Sequence, residues 1–169
     1  MKLFLIGLMG SGKSVMGKRI SQSVQLPFID LDDEIEKEVG MKIPEIFSTK
    51  GEDYFRTLEA SALRRYSETK EFVMATGGGA PCFHDNMEFI NKTGTSIFLN
   101  TPIKDILNRM GKHQKQTRPM LANVPEEKLE GKLISLLQKR LPFYQQAHIM
   151  VNGTTDTAWD ILQLLHPKK

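Results

Sequence analysis

The chain of 169 residues has one cysteine, Cys82, which excludes an internal disulfide framework and suits a reducing compartment. Long hydrophobic runs are missing too, and nothing approaches the ~18 apolar residues of a membrane span. Lys2 and the apolar residues 3–6 imitate the start of a secretory signal. That run breaks at Gly7 and offers no small-x-small cleavage site. No basic run is interleaved with aromatics and the formal net charge is only +3, so nucleic acid is excluded as a default partner. The four histidines, at 84, 113, 148 and 166, lack metal-ligand spacing, and no zinc site is expected. No exposed apolar stripe, internal repeat or low-complexity segment stands out. The expectation is a soluble, cytoplasmic, monomeric protein with neither membrane nor nucleic acid as a partner.

What is present is an ordinary globular composition, 40% hydrophobic and 25% charged, over a length suited to one domain, 1–169, with one substantial core. Five short apolar runs have strand length and strand-like bounds: KLFLI (2–6), PFIDL (27–31), FVMAT (72–76), TSIFL (95–99) and HIMV (148–151). Helical patterns lie between them. One runs over 52–67, where Phe55, Leu58, Ala62, Leu63 and Tyr66 recur at three- and four-residue spacing. Another follows Pro125, whose proline and two acids suit a helix N-terminus. A third spans 157–165 and carries the only tryptophan, Trp159, read as a core or capping side chain. Strand–helix alternation predicts an α/β fold, a parallel sheet with helices on both faces. The segment 111–124, GKHQKQTRPMLANV, breaks the alternation and reads as a lid or binding loop.

The stretch GLMGSGKS, 7–14, satisfies G-x4-G-K-[ST] and sits between the first strand and the next helix. Its glycines let backbone N–H groups converge on phosphate oxygens at a helix N-terminus that already favours anions. Gly10, Ser11, Gly12, Lys13, Ser14 and Val15 are the candidate nucleotide-binding residues. Lys13 should reach the β- and γ-phosphates, and the Ser14 hydroxyl should ligate Mg²⁺. The second strand ends in FIDLDD, at the ligand edge of a doubly wound sheet. Period-two alternation sends Asp30 and Asp32 to one side, where carboxylates can serve Mg²⁺ through water or accept a hydroxyl proton. Asp33 reads as the N-cap of the following helix. In GEDYFRTLE, Arg56 lies off the apolar stripe, with Glu59 three residues on and able to orient it. In ATGGGA, Gly77, Gly78 and Gly79 bare the backbone at the end of the third strand.

Together GLMGSGKS, FIDLDDEIE, IPEIFSTKGEDYFRTLE, ATGGGA, RPML and KRLPFY resemble the shikimate kinase family, in its order and approximate spacing over nearly the whole chain. The resemblance implies a P-loop, NMP-kinase-like fold with a five-stranded parallel sheet flanked by helices, a substrate-binding segment over about 31–60 and a lid loop over about 111–124. It implies ATP as co-substrate, Mg²⁺ as cofactor and shikimate as acceptor. By the same resemblance Asp32 holds the ring hydroxyls and is the candidate catalytic base, and Asp30 supports the Mg²⁺ shell. Arg56 and Arg140 grip the substrate carboxylate, Gly78 donates its N–H to the ring, and Arg118 swings from the lid onto the phosphates. One departure stands out: 152–159, NGTTDTAW, has no Lys or Arg where the family often has a basic residue near adenine. Arg109 is an alternative stacking residue. Two other readings stay open on the residues alone: a gluconate or nucleoside-monophosphate kinase of the same fold, and a nucleotide-binding switch that transfers nothing.

Overall fold

Side chains alternate in direction along strands buried on both faces, which places two cores, one on each face of a sheet. In β1 (Lys2–Ile6), Leu3 and Leu5 enter one core while Phe4 and Ile6 enter the other. β2 (Phe28–Asp30), β3 (Phe72–Ala75), β4 (Thr95–Asn100) and β5 (Ile149–Asn152) join it in the order β2-β3-β1-β4-β5, every pairing parallel. The computed structural model describes residues 1–110, 118–153 and 158–165. The 111–117 part of the expected lid, residues 154–157, His113, His166 and the Trp159 side chain lie outside the described residues.

The helices cover both faces. Phe4, Phe72, Met74 and Phe98 pack against Leu31 and Ile35 of α2 (Leu31–Val39), Ile46 of α3 (Ile43–Lys50) and Phe55 and Leu63 of α4 (Glu52–Tyr66). α5 (Asn86–Thr93) closes the same core with Met87 and Ile90. Leu3, Leu5, Val73 and Ile97 pack on Ile20 of α1 (Lys13–Val24) and Ile161 of α8 (Ala158–Leu165). A smaller cluster joins Leu8 and Met9 to Ile106 of α6 (Ile103–Arg109) and to Leu133 and Leu136 of α7 (Leu129–Tyr144). Each buried Leu, Ile or Phe contributes about 1.5–3 kcal/mol, so these clusters fix the loops at the sheet's carboxyl edge.

The sequence reading of five parallel strands flanked by helices matches this architecture, with ends moved by a residue or two. The larger difference is at FIDLDD. β2 stops at Asp30 and α2 begins at Leu31, so Asp33 is in the first turn rather than at the N-cap, which is Asp30. The period-two argument for Asp30 and Asp32 therefore fails, because Asp32 is already helical. Three acids in that first turn, Asp32, Asp33 and Glu34, explain the early start: they complement the helix dipole. The helix expected after Pro125 opens with a 3-10 turn, Glu126–Lys128, before α7.

Gly94, joining α5 to β4, shows how tightly the amino edge is packed. A Cβ there would lie 2.5 Å from the Lys2 carbonyl oxygen. Gly94→Ala would gain about 0.4–1 kcal/mol from a stiffer unfolded chain but force overpacking that costs about 1–3 kcal/mol. A net loss of stability is expected in urea denaturation, and an unchanged midpoint would contradict the packing described.

Candidate active site

The phosphate loop leaves the buried end of β1 and turns into α1 through Gly12, which is left-handed at φ 96°. That conformation suits glycine and points the first N–H groups of α1 outward. Lys13 folds back over the loop and donates to the carbonyls of Gly7 and Leu8, both at 3.0 Å. Thr101, at the end of β4, braces the loop by donating to the Ser11 carbonyl at 2.9 Å. Sequence reasoning missed Thr101; its place at the carboxyl end of a strand was the available signal. Gly10 through Val15 all line a cavity of about 730 Å³ above this loop, together with Asp30, Asp32, Gly78, Arg109 and Arg118. Arg109 reaches the Ser11 carbonyl at 3.5 Å, so it stands beside the loop.

The Ser14 hydroxyl donates to Asp30 Oδ2 at 2.6 Å on the wall of that cavity. A hydroxyl and a carboxylate are the oxygen donors a small divalent cation takes. Among the described residues no group of three or more His, Cys, Asp or Glu could hold a metal. A cation at Ser14 and Asp30 would thus complete its shell with phosphate oxygens and water, as Mg²⁺ does.

A second cavity, of about 250 Å³, adjoins the first and is lined by Asp32, Phe47, Arg56, Glu59, Gly77, Gly78, Gly79, Arg118 and Arg140 among others. Arg56 is buried rather than a surface ion pair: Nη1 donates to Glu59 Oε2 at 2.7 Å, and Nη2 and Nε donate to Glu52 Oε1 at 3.0 and 3.2 Å. Phe83 lies over its guanidinium, with Cζ 4.5 Å from the ring centre. Glu52 and Phe83 went unnoticed in the sequence: Glu52, at i,i+4 from Arg56 on α4, was open to the same helical-spacing argument as Glu59, whereas Phe83 sits in no pattern that names its partner.

The three glycines make room for this cluster. A Cβ on Gly77 would lie 2.4 Å from Glu59 Oε1 and 2.9 Å from Asp32 Oδ1, and one on Gly79 would lie 2.5 Å from Arg56 Nη2. The sequence reading gave that space to a ligand. At Gly77 and Gly79 the protein's own charged groups take it.

Burial sets the electrostatics. Desolvation, then the charges of Glu59 and Asp30, raise the Asp32 pKa to about 7, against the opposing pull of Lys13 and Arg118. Desolvation and the Arg118 charge lower Lys13 to about 8. Burial likewise raises Glu59 and lowers Arg118. Among the described residues, the buried side-chain atoms without a hydrogen-bond partner are Ser11 Oγ, Asp32 Oδ1, Glu59 Oε1, Arg118 Nε and Arg140 Nη1. All belong to residues lining one or both cavities, so the polar capacity is concentrated where a ligand can use it.

A phosphate loop at the carboxyl edge of a parallel sheet, facing a cavity of paired charges, defines a phosphotransferase of the P-loop, NMP-kinase-like class. The model of the shikimate kinase family matches residues 9–166. A shikimate kinase of Bacteroides thetaiotaomicron is 42% identical over 161 residues, covering 95% of this chain and 91% of that protein. The crystal structure of shikimate kinase from that organism superposes with a TM-score of 0.87 at 40% identity, covering 98% of this chain and 97% of that one. The shikimate kinase of Acinetobacter baumannii in complex with shikimate superposes with a TM-score of 0.88 at 36% identity, covering 97% and 92%. The chain belongs to the shikimate kinase family.

Asp32 generates a prediction of its own. Unfolded, it ionises near 3.8; folded, it keeps its proton to about 7. The folded state binds more protons between those values, so this contribution to stability is lost as pH rises through about 7. Asp32→Asn cannot ionise and should raise the calorimetric midpoint at pH 8, with a smaller gain at pH 5. A variant less stable than the parent at pH 8 would mean that the ionised carboxylate is well accommodated.

Proposed function

We propose that this chain transfers the γ-phosphoryl group of ATP to a hydroxyl of shikimate, giving ADP and shikimate 3-phosphate, in the cytoplasm. The larger cavity takes the nucleotide and the smaller one the acid. One observation carries this arrangement: the two cavities share a wall made by Met9, Asp32, Asp33, Gly78 and Arg118. A donor on one side and an acceptor on the other meet across Asp32.

In this reading the acceptor hydroxyl attacks the γ-phosphorus, the bond to the bridging β-oxygen breaks, and the hydroxyl proton passes to Asp32. Lys13 and Arg118 lie against the oxygens where negative charge develops. Mg²⁺, held by Ser14 and through water by Asp30, supplies charge neutralisation on the phosphates when bound. Backbone N–H groups of Gly10 to Val15 hold the phosphate chain. Arg56 and Arg140 take the carboxylate, and they differ in readiness. Arg56 is matched by Glu52 and Glu59, whereas Arg140 keeps a buried Nη1 with no hydrogen-bond partner among the described residues. Gly77, Gly78 and Gly79 form the backbone floor under the ring.

Two measurements test the reading. Asp32 accepts a proton only when ionised, and Lys13 serves only when charged. For the free enzyme kcat/KM should therefore rise through about pH 7 and fall through about pH 8, with Asp32→Asn losing the acidic limb. A flat profile between pH 6 and 9 removes Asp32 from the proton path. The second compares shikimate with its neutral carboxamide in a coupled ADP assay that includes gluconate, quinate and AMP. Wild type should strongly prefer the acid, and Arg140→Ala should lose about 2–5 kcal/mol of that preference. Equal turnover of acid and amide by wild type would exclude carboxylate reading.

A further inference from the structure

Tyr144 ends α7 with its side chain buried completely, its ring tilted against Phe98 at 5.0 Å between centres. Packing alone would be met by phenylalanine. The hydroxyl is what needs explaining, and it donates to the carbonyl oxygen of Gly78. Burial pushes the phenol's pKa up, so it remains a neutral donor throughout the working range.

The three glycines have their carbonyls assigned one by one. Gly77 O accepts from the Ala80 N–H at 3.1 Å, Gly79 O accepts from the Cys82 N–H at 2.9 Å, and Gly78 O accepts from Tyr144. The β3 ladder has already ended, its last bonds being to Ala75 and Thr76. Among the described residues, the N–H groups of Gly77, Gly78 and Gly79 donate to no protein acceptor. A trans peptide points its carbonyl and its N–H in opposite directions, and the chain has no cis bond in its described residues. Fixing Gly78 O therefore fixes the direction of the Gly79 N–H, and Gly79 lines the smaller cavity. The same contact ties this peptide to Arg140, one turn earlier on α7, whose Nη1 would lie 3.2 Å from a Cβ on Gly78.

We propose that Tyr144 is a positioning residue for the acceptor: by holding the Gly78 carbonyl it aims the Gly79 N–H into the acceptor cavity and sets its distance from Arg140. Its hydroxyl touches no reacting atom. The inference rests on the reading of the smaller cavity as the acceptor site.

Tyr144→Phe keeps the ring and deletes only the hydroxyl. It leaves a carbonyl without its buried donor, which lets the peptide turn. The KM for shikimate should rise about tenfold, the equivalent of about 1.4 kcal/mol. The KM for ATP should change less than about twofold, and so should kcat. A purely structural role lowers the melting midpoint but leaves the shikimate KM within twofold of wild type, and that result overturns the proposal. So does a parallel rise in both KM values. A measurement on wild type alone covers the case of a variant that does not fold: the ¹⁵N–¹H resonance of Gly79 should shift on adding shikimate and not on adding a non-hydrolysable ATP analogue. No shift at Gly79 despite shikimate turnover overturns the role of Tyr144 while leaving the acceptor assignment standing. Absence of shikimate turnover by wild type overturns both.

Discussion

The smaller cavity depends on one buried ion pair. Arg56 and Glu59 meet at 2.7 Å with side chains 5% and 1% exposed. Removing either partner from such a pair strands a charge in low dielectric, whereas the intact pair contributes little net stability. Its consequence is spatial. Glu59 Oε1 and Arg56 Nη2 press so close to the β3 exit that only glycine fits at positions 77 and 79. Glu59 also raises the neighbouring Asp32, so the pair shapes both the floor of the cavity and the acidity of its central carboxylate.

The larger cavity is built on the opposite plan. There the charge is delivered by backbone dipoles and by one lysine, on a loop pinned from outside by Thr101 and packed from beneath by Leu8, Met9 and Ile106. The loop's own Leu8, Met9 and Lys13 help to hold it in place; the glycines make it bendable and these contacts make it stiff. The two plans meet at Asp32 and Arg118, opposite charges that pull on each other's protonation.

Much of this could be read from residues in order. KLFLI and TSIFL gave their strands to within one residue, because uninterrupted apolar runs bounded by polar residues have few other uses in a parallel sheet. The phosphate loop was legible because its chemistry demands particular residues at fixed offsets. Asp30 and Asp32 were placed together correctly by a wrong argument: a helix turn, not strand alternation, carries Asp32 to the cavity. The contacts of Phe83, Thr101 and Tyr144 were not legible, whereas Glu52, four residues before Arg56 on one helix, was legible and overlooked. Phe83, Thr101 and Tyr144 each act on a group distant in sequence, and no periodicity records that. Cys82 is half-buried, with a thiol pushed up to about 11 by burial, so it stays protonated near neutral pH.

The wall common to the two cavities has a pharmacological consequence. Met9, Asp32, Asp33, Gly78 and Arg118 border both spaces, so a single layer of residues lies between one cavity and the other. A bisubstrate inhibitor, with an acidic ring joined through a short bridge to a polyphosphate mimic, could span both past Asp32 and Arg118. Tethering replaces a second bimolecular encounter with an effective concentration in the millimolar range for a short flexible link. Its bridge would lie beside Asp32, which favours a protonated amine there over a simple ether.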